Sequence, residues 1–68
     1  MKHYELGIYL YNARIKKKLT QEELGEQLGI NGKSVSKWER GVSVPSYKVL
    51  RKLCEIIGIS SDEVLKLI

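Results

Sequence analysis

Residues 19–41 read LTQEELGEQLGINGKSVSKWERG, and this stretch predicts two short helices separated by a tight turn. Thr20, followed three residues later by Glu23, is a capping box that starts the first of the two helices. Gly29 ends that helix, and Asn31 is a good N-cap for the next one. The stretch therefore has the layout of a helix, a turn and a helix.

The second of these helices separates apolar from basic side chains. At 100° per residue, Val35 and Trp38 fall on one side of it. The other side is formed by Lys33, Ser36, Lys37 and Arg40. Residues 31–52 hold six lysines and arginines against one glutamate, although the net charge of the whole chain is only +4. Such a basic face is either a solvated surface or one that binds a large anion such as a nucleic acid.

Helical periodicity continues on both sides of this unit, and no segment alternates as a strand does. A first helix is expected over residues 4–18, a fourth over about 47–57, and a fifth after Ser60, which repeats the capping box with Glu63. Their buried side chains are expected to be Leu6, Leu10, Ala13, Val49, Leu50, Leu53, Ile56, Ile57, Val64, Leu65 and Ile68. A chain of 68 residues can bury one small core. The prediction is a single all-α domain of five helices over residues 1–68.

The composition argues against several classes of protein. The single cysteine, Cys54, allows no internal disulfide, and no Cys/His cluster is present to hold a metal. The N-terminal MKHYELG lacks the apolar run of a signal peptide, and no apolar stretch is long enough to cross a bilayer. Paired carboxylates, an activated nucleophile and a phosphate-binding glycine loop are also missing. We expect a cytoplasmic protein that is not an enzyme and uses no cofactor, small-molecule ligand or membrane.

The order of the motifs resembles that of the Cro/C1-type (XRE-type) helix-turn-helix repressors of phages and bacteria. LTQEEL, WERG, the PS cap and the closing IGISSDEVL follow one another as in that family, over roughly residues 6–67. The resemblance implies a lambda-repressor-like domain with its helix-turn-helix at helices 2 and 3. It also implies a sequence-specific regulator of transcription, of the repressor kind, that inserts helix 3 into the major groove of double-stranded DNA. Binding as a homodimer to a palindromic operator is part of the same expectation.

The resemblance assigns roles to individual residues. Base contacts are implied for Asn31, Lys33 and Lys37, and phosphate contacts for Gln21, Ser34 and Arg40. A salt bridge between Arg14 and Glu39 is implied between helices 1 and 3. Gly32 departs from the family, because relatives commonly carry a long polar side chain there that reads a base. Without that side chain, specificity rests on fewer direct contacts or more on DNA shape.

Helix 1 carries a second apolar stripe, on the side opposite its core residues. The stripe is formed by Tyr4, Ile8, Tyr11 and Ile15, at i, i+4, i+7 and i+11. A helix that is apolar on two faces usually has two partners. Either the C-terminal residues fold back over part of this stripe, or the stripe contacts a second subunit or a partner protein. The latter gives an alternative function, a protein-binding module such as an antitoxin or anti-repressor partner.

Overall fold

The computed structural model describes residues 3–68, which form five α-helices and no strand. The helices are α1 (Tyr4–Lys16), α2 (Gln21–Leu28), α3 (Gly32–Glu39), α4 (Tyr47–Ile57) and α5 (Ser61–Leu67). The expected all-α fold is confirmed, and α2, α3 and α4 lie within about one residue of their predicted bounds. None of the described helices is long and apolar enough to cross a membrane.

Each helix contributes to one core. Its buried apolar side chains are Leu6, Leu10, Leu24, Leu28, Val35, Trp38, Leu50, Leu53, Ile57 and Val64. Two predicted members of the core, Leu65 and Ile68, are instead exposed. The reason is the orientation of α5, which turns Val64 and Leu67, three residues apart on one face, toward the other helices.

The end of α1 differs from the prediction. The helix stops at Lys16 rather than at Lys18, because Lys18 adopts a left-handed conformation with φ of 59°. This turn brings the backbone carbonyl of Leu19 to Arg14, whose Nη1 donates a hydrogen bond to it over 2.7 Å. The end of α1 therefore coincides with a side-chain contact across the turn. The sequence has no glycine or proline at this point from which the end of the helix could be predicted.

The remaining helix starts test the predicted caps. Thr20 and Glu23 form the expected capping box, with the backbone N–H of Glu23 3.0 Å from the Thr20 hydroxyl oxygen. The hydroxyl of Ser46 caps α4 by accepting from the backbone N–H of Val49. The second predicted capping box is wrong, since the side chain of Ser60 makes no capping hydrogen bond. The acidic residues in the first turn of α5 still suit the positive end of its helix dipole.

Helices α1 and α3 cross at Gly7, where a side chain has no room. A Cβ added to Gly7 would lie 2.8 Å from the carbonyl oxygen of Trp38 and closer still to that of Glu39. We expect Gly7→Ala to force the helices apart and to lower the free energy of unfolding by about 2 kcal/mol. Urea denaturation followed by circular dichroism measures this. The exposed Asn12→Ala on the same helix is the control, and equal stability of the two variants would contradict the close crossing.

Candidate nucleic-acid interface

Helix α2 packs closely against the turn and the start of α3 at Gly25, which has no side chain. A Cβ on Gly25 would lie 3.0 Å from both the backbone nitrogen of Gly32 and the carbonyl oxygen of Ile30. Gly29, with φ of 73°, closes α2, and the N–H of Ile30 donates to the carbonyl of Gly25 over 2.8 Å. The turn is thus held by backbone contacts, which fix the direction in which α3 leaves it.

Helix α3 turns its basic side to solvent. Val35 is only 1% exposed and Trp38 is also buried, so the apolar side of the helix is fixed in the core. On the opposite side Lys33, Lys37 and Arg40 are exposed, as the helical spacing predicts. Within residues 3–68 none of these three cations forms a salt bridge. Their charge is therefore available to an anionic partner.

Asn31 has two functions to combine, as N-cap of α3 and as a predicted base contact. Its side-chain Oδ1 accepts a hydrogen bond from the backbone N–H of Lys33 over 2.8 Å. The side-chain amide nitrogen keeps its two donors. While it caps α3, Asn31 is therefore suited to donate from this nitrogen to acceptors such as guanine O6 and N7.

Gln21 opens α2 and is joined to a buried ion pair. Arg14 donates to both carboxylate oxygens of Glu39, with Nε 2.6 Å from Oε2 and Nη2 2.9 Å from Oε1. The salt bridge implied by the resemblance is thereby confirmed, and the two side chains are only 7% and 5% exposed. Gln21 adds a hydrogen bond from Nε2 to Oε1 of Glu39 over 3.0 Å. One amide hydrogen of Gln21 remains for a phosphate oxygen, beside the free backbone amides of the helix start.

Of the other two predicted phosphate contacts, Ser34 lies on α3 and Arg40 follows its last residue as the C-cap. The Nε of Arg40 donates to the hydroxyl oxygen of Ser36 over 3.3 Å, which leaves the terminal guanidinium nitrogens free to donate elsewhere. Ser34 is half-buried near the start of the helix. Both residues lie on or next to the same helix as the predicted base contacts, so one placement of α3 positions them all.

A cleft of about 300 Å³ opens between the starts of α2 and α3. It brings together three of the predicted residues, Gln21, Asn31 and Lys33, whereas Ser34, Lys37 and Arg40 do not line it. The rest of the lining is Glu22, Gly32 and Ser36.

Sequence reasoning missed Glu22 as a member of this interface. Its place in the first turn of α2 is explained by the helix dipole alone, so it gave no separate signal. Gly32 allows Glu22 to lie this close to the start of α3, because a Cβ on Gly32 would be only 3.2 Å from the Cα of Glu22. A carboxylate at the cleft can accept a hydrogen bond from the amino group of cytosine. The absent side chain at position 32 thus leaves a neighbouring acid beside the predicted base contacts Asn31 and Lys33.

Two other features lie outside this cleft. The side chains of the stripe on α1, Tyr4, Ile8, Tyr11 and Ile15, are all exposed, which favours a contact with a second subunit or a partner protein over a fold-back of C-terminal residues. Cys54 is half-buried against the core, and its burial raises the pKa of the thiol, which disfavours a reactive thiolate. No group of three or more metal-ligating side chains occurs within residues 3–68.

Comparison with known proteins identifies similar sequences. A family model described as helix-turn-helix matches residues 10–64. The HTH-type transcriptional activator BcrR of Enterococcus faecalis is 38% identical over 61 residues, which is 90% of this chain and 30% of BcrR. The SPbeta prophage-derived HTH-type transcriptional regulator YonR of Bacillus subtilis is 37% identical over 60 residues, 88% of this chain and 56% of YonR. This chain therefore spans less than two thirds of either relative.

A solved structure agrees with the sequence comparison. The clp gene regulator ClgR from C. glutamicum matches with a TM-score of 0.82 and 30% sequence identity, over 97% of this chain and 85% of that chain. The matched region of the family model contains the whole α2–turn–α3 unit described above. This chain belongs to the Cro/C1-type (XRE-type) family of helix-turn-helix proteins.

Proposed function

We propose that this chain is a sequence-specific, double-stranded DNA-binding regulator of transcription that inserts α3 into the major groove. The observation that carries the proposal is the exposed, unpaired basic side of α3, held in place by the burial of Val35 and Trp38 on its other side. A major groove admits one such helix. The names of BcrR, YonR and ClgR, an activator and two regulators, support the same class of function.

In this proposal the two sets of residues act differently. Asn31, Lys33 and Lys37 reach base edges, where a lysine ammonium donates to O6 and N7 of guanine. Phosphates are held by Gln21, Ser34 and Arg40, together with the backbone amides at the start of α2. Phosphate contacts set the orientation of the protein, and base contacts select the sequence.

A dimer on a two-fold operator is the second part of the proposal. Two copies double the number of contacts, and half-sites about 34 Å apart place both copies of α3 on one side of the duplex. Bound in this way over a promoter, the protein acts as a repressor by occlusion. Affinity falls steeply as salt rises, because each phosphate contact releases counterions.

Selection of bound duplexes from a random DNA library at moderate salt tests the proposal directly. We expect an enriched motif with two-fold symmetry whose half-sites lie about one helical turn apart. The bound and unbound pools are sequenced at two protein concentrations, so that a motif bound by one copy is separated from a motif bound by two. Binding that is weak, lost at higher salt and without any enriched motif would contradict sequence-specific regulation.

A further inference from the structure

The stripe on α1 is the largest feature that DNA binding does not explain. Its side chains are Tyr4, Ile8, Tyr11 and Ile15, exposed by 60%, 43%, 47% and 48%. The rest of the described chain leaves this side of α1 about half exposed. Isolated exposed apolar residues are ordinary, but four in register on one helix mark an interaction surface.

The spacing of the stripe is that of a coiled-coil seam. Steps of four, three and four residues correspond to heptad positions d, a, d and a, with isoleucine at both a positions and tyrosine at both d positions. A seam of this width fits one other helix rather than a broad core. We propose that its occupant is α1 of a second copy of this chain, packed antiparallel about a two-fold axis.

The stripe is complementary to itself in that orientation. An axis midway between Ile8 and Tyr11 sets Tyr4 of one copy against Ile15 of the other, and Ile8 against Tyr11. Each layer of the seam then pairs a tyrosine with an isoleucine, and the same four residues serve both copies, as an isologous interface requires. A groove of about 480 Å³ adjoins Ile15 and is bordered by Asn12. It can receive the ring of Tyr4 from the second copy, with a polar side chain near the hydroxyl.

Charge on the flank of the stripe favours the same orientation. Glu5 and Lys16 lie on one flank, near opposite ends of the helix, and both are exposed. Antiparallel packing brings Glu5 of each copy beside Lys16 of the other, twice by symmetry. Parallel packing would instead set this flank of each copy against the opposite flank of the other, so that Glu5 and Lys16 of the two copies would not meet. The opposite flank is closed to a partner, since Gly7 and Arg14 are buried there beneath α3.

The size of this surface sets the expected affinity of self-association. Four half-exposed side chains and the adjoining groove provide less than the roughly 800 Å² per partner of a standard stable interface. Self-association is therefore weak, in the range of about 10 to 1,000 µM. It does not depend on DNA binding, and it is measured without DNA.

Sedimentation equilibrium of the full chain over that concentration range, with two charge variants, tests the pairing. Glu5→Lys alone and Lys16→Glu alone each turn both ion pairs into like-charge pairs, and each is expected to weaken self-association by about tenfold. An equal mixture of the two variants restores opposite charges at both places. We expect the mixture to associate at least as tightly as the unaltered chain, as a heterodimer.

Matched controls separate this pairing from general charge effects. Glu26→Lys on α2 and Lys52→Glu on α4 make the same charge changes at exposed positions away from the stripe. Singly or mixed, they are expected to leave self-association unaltered. Ile8→Lys is expected to abolish it, while circular dichroism confirms that every variant is folded. A chain that stays monomeric throughout, or a charge-variant mixture no tighter than its components, would overturn the proposal and leave the stripe to a partner of different sequence.

Discussion

Replacing Lys33 and Lys37 together with alanine is expected to weaken binding to the selected operator by about a hundredfold or more. Each lysine contributes a base contact of about 1–3 kcal/mol in the proposed complex, and neither supports the fold. Both side chains are exposed and form no ion pair with a described residue, so the thermal midpoint should stay within the small range of surface substitutions. Fluorescence anisotropy with operator and scrambled duplexes measures the effect.

The scrambled duplex distinguishes base reading from general attraction. Loss of a base contact reduces the preference for operator, whereas Arg40→Ala should weaken both duplexes alike and lower the slope of log affinity against log salt by about one. The matched control is Lys17→Ala with Lys66→Ala, which removes the same charge away from α3. If that control pair weakened operator binding as much as the α3 pair, net charge and not α3 would account for the affinity.

Part of this fold was predictable from the sequence, and part of it was not. The helix-turn-helix unit was predictable because its signals are local: a capping box at Thr20, an N-cap at Asn31, and a glycine after α2. The end of α1 was not, because the contact of Arg14 with the Leu19 carbonyl, across the turn, exists only after folding. The prediction of a buried Leu65 and Ile68 was wrong, since apolar residues in 64–68 occupy nearly every face of a short helix and periodicity cannot select one.

The candidate site was also predictable only in part. Helical spacing alone predicted which side of α3 is exposed. It could not predict that the side chain of Gln21 is already hydrogen-bonded to Glu39, or that Glu22 borders the cleft. Those features depend on how closely α2 and α3 approach and on the rotamers packed between them. The exposure of the α1 stripe was not predictable either, because it depends on where the other helices pack.

Removing Glu39 is expected to have the largest effect on stability of any single polar substitution. In Glu39→Ala the guanidinium of Arg14 stays buried and charged, with the Leu19 carbonyl as its remaining hydrogen-bond partner. Hydrogen bonds to Glu39 raise the pKa of Arg14 in the intact pair, and an arginine does not escape burial by losing its proton. We expect a loss of about 3–5 kcal/mol in the free energy of unfolding.

A loss of that size approaches the whole stability of so short a chain, roughly 3–10 kcal/mol at typical values per residue. Glu39→Ala should therefore be largely unfolded near 37 °C when followed by circular dichroism. The control is Glu63→Ala, which breaks an exposed ion pair of 3.8 Å with Lys66 and should change stability by less than about 1 kcal/mol. Equal effects from the two substitutions would show that burial of the Arg14–Glu39 pair does not determine its contribution.

The double variant Arg14→Met with Glu39→Leu separates the stability of the pair from its effect on Gln21. Replacing both buried charges by apolar side chains of similar volume leaves no unpaired charge, so most of the lost stability should return. Gln21, however, loses the carboxylate that orients its amide at the start of α2. We expect this variant to be folded and yet to bind operator about three- to tenfold more weakly, the effect of one hydrogen bond. Unaltered affinity in the folded variant would instead show that Gln21 contacts phosphate through its backbone, independently of Glu39.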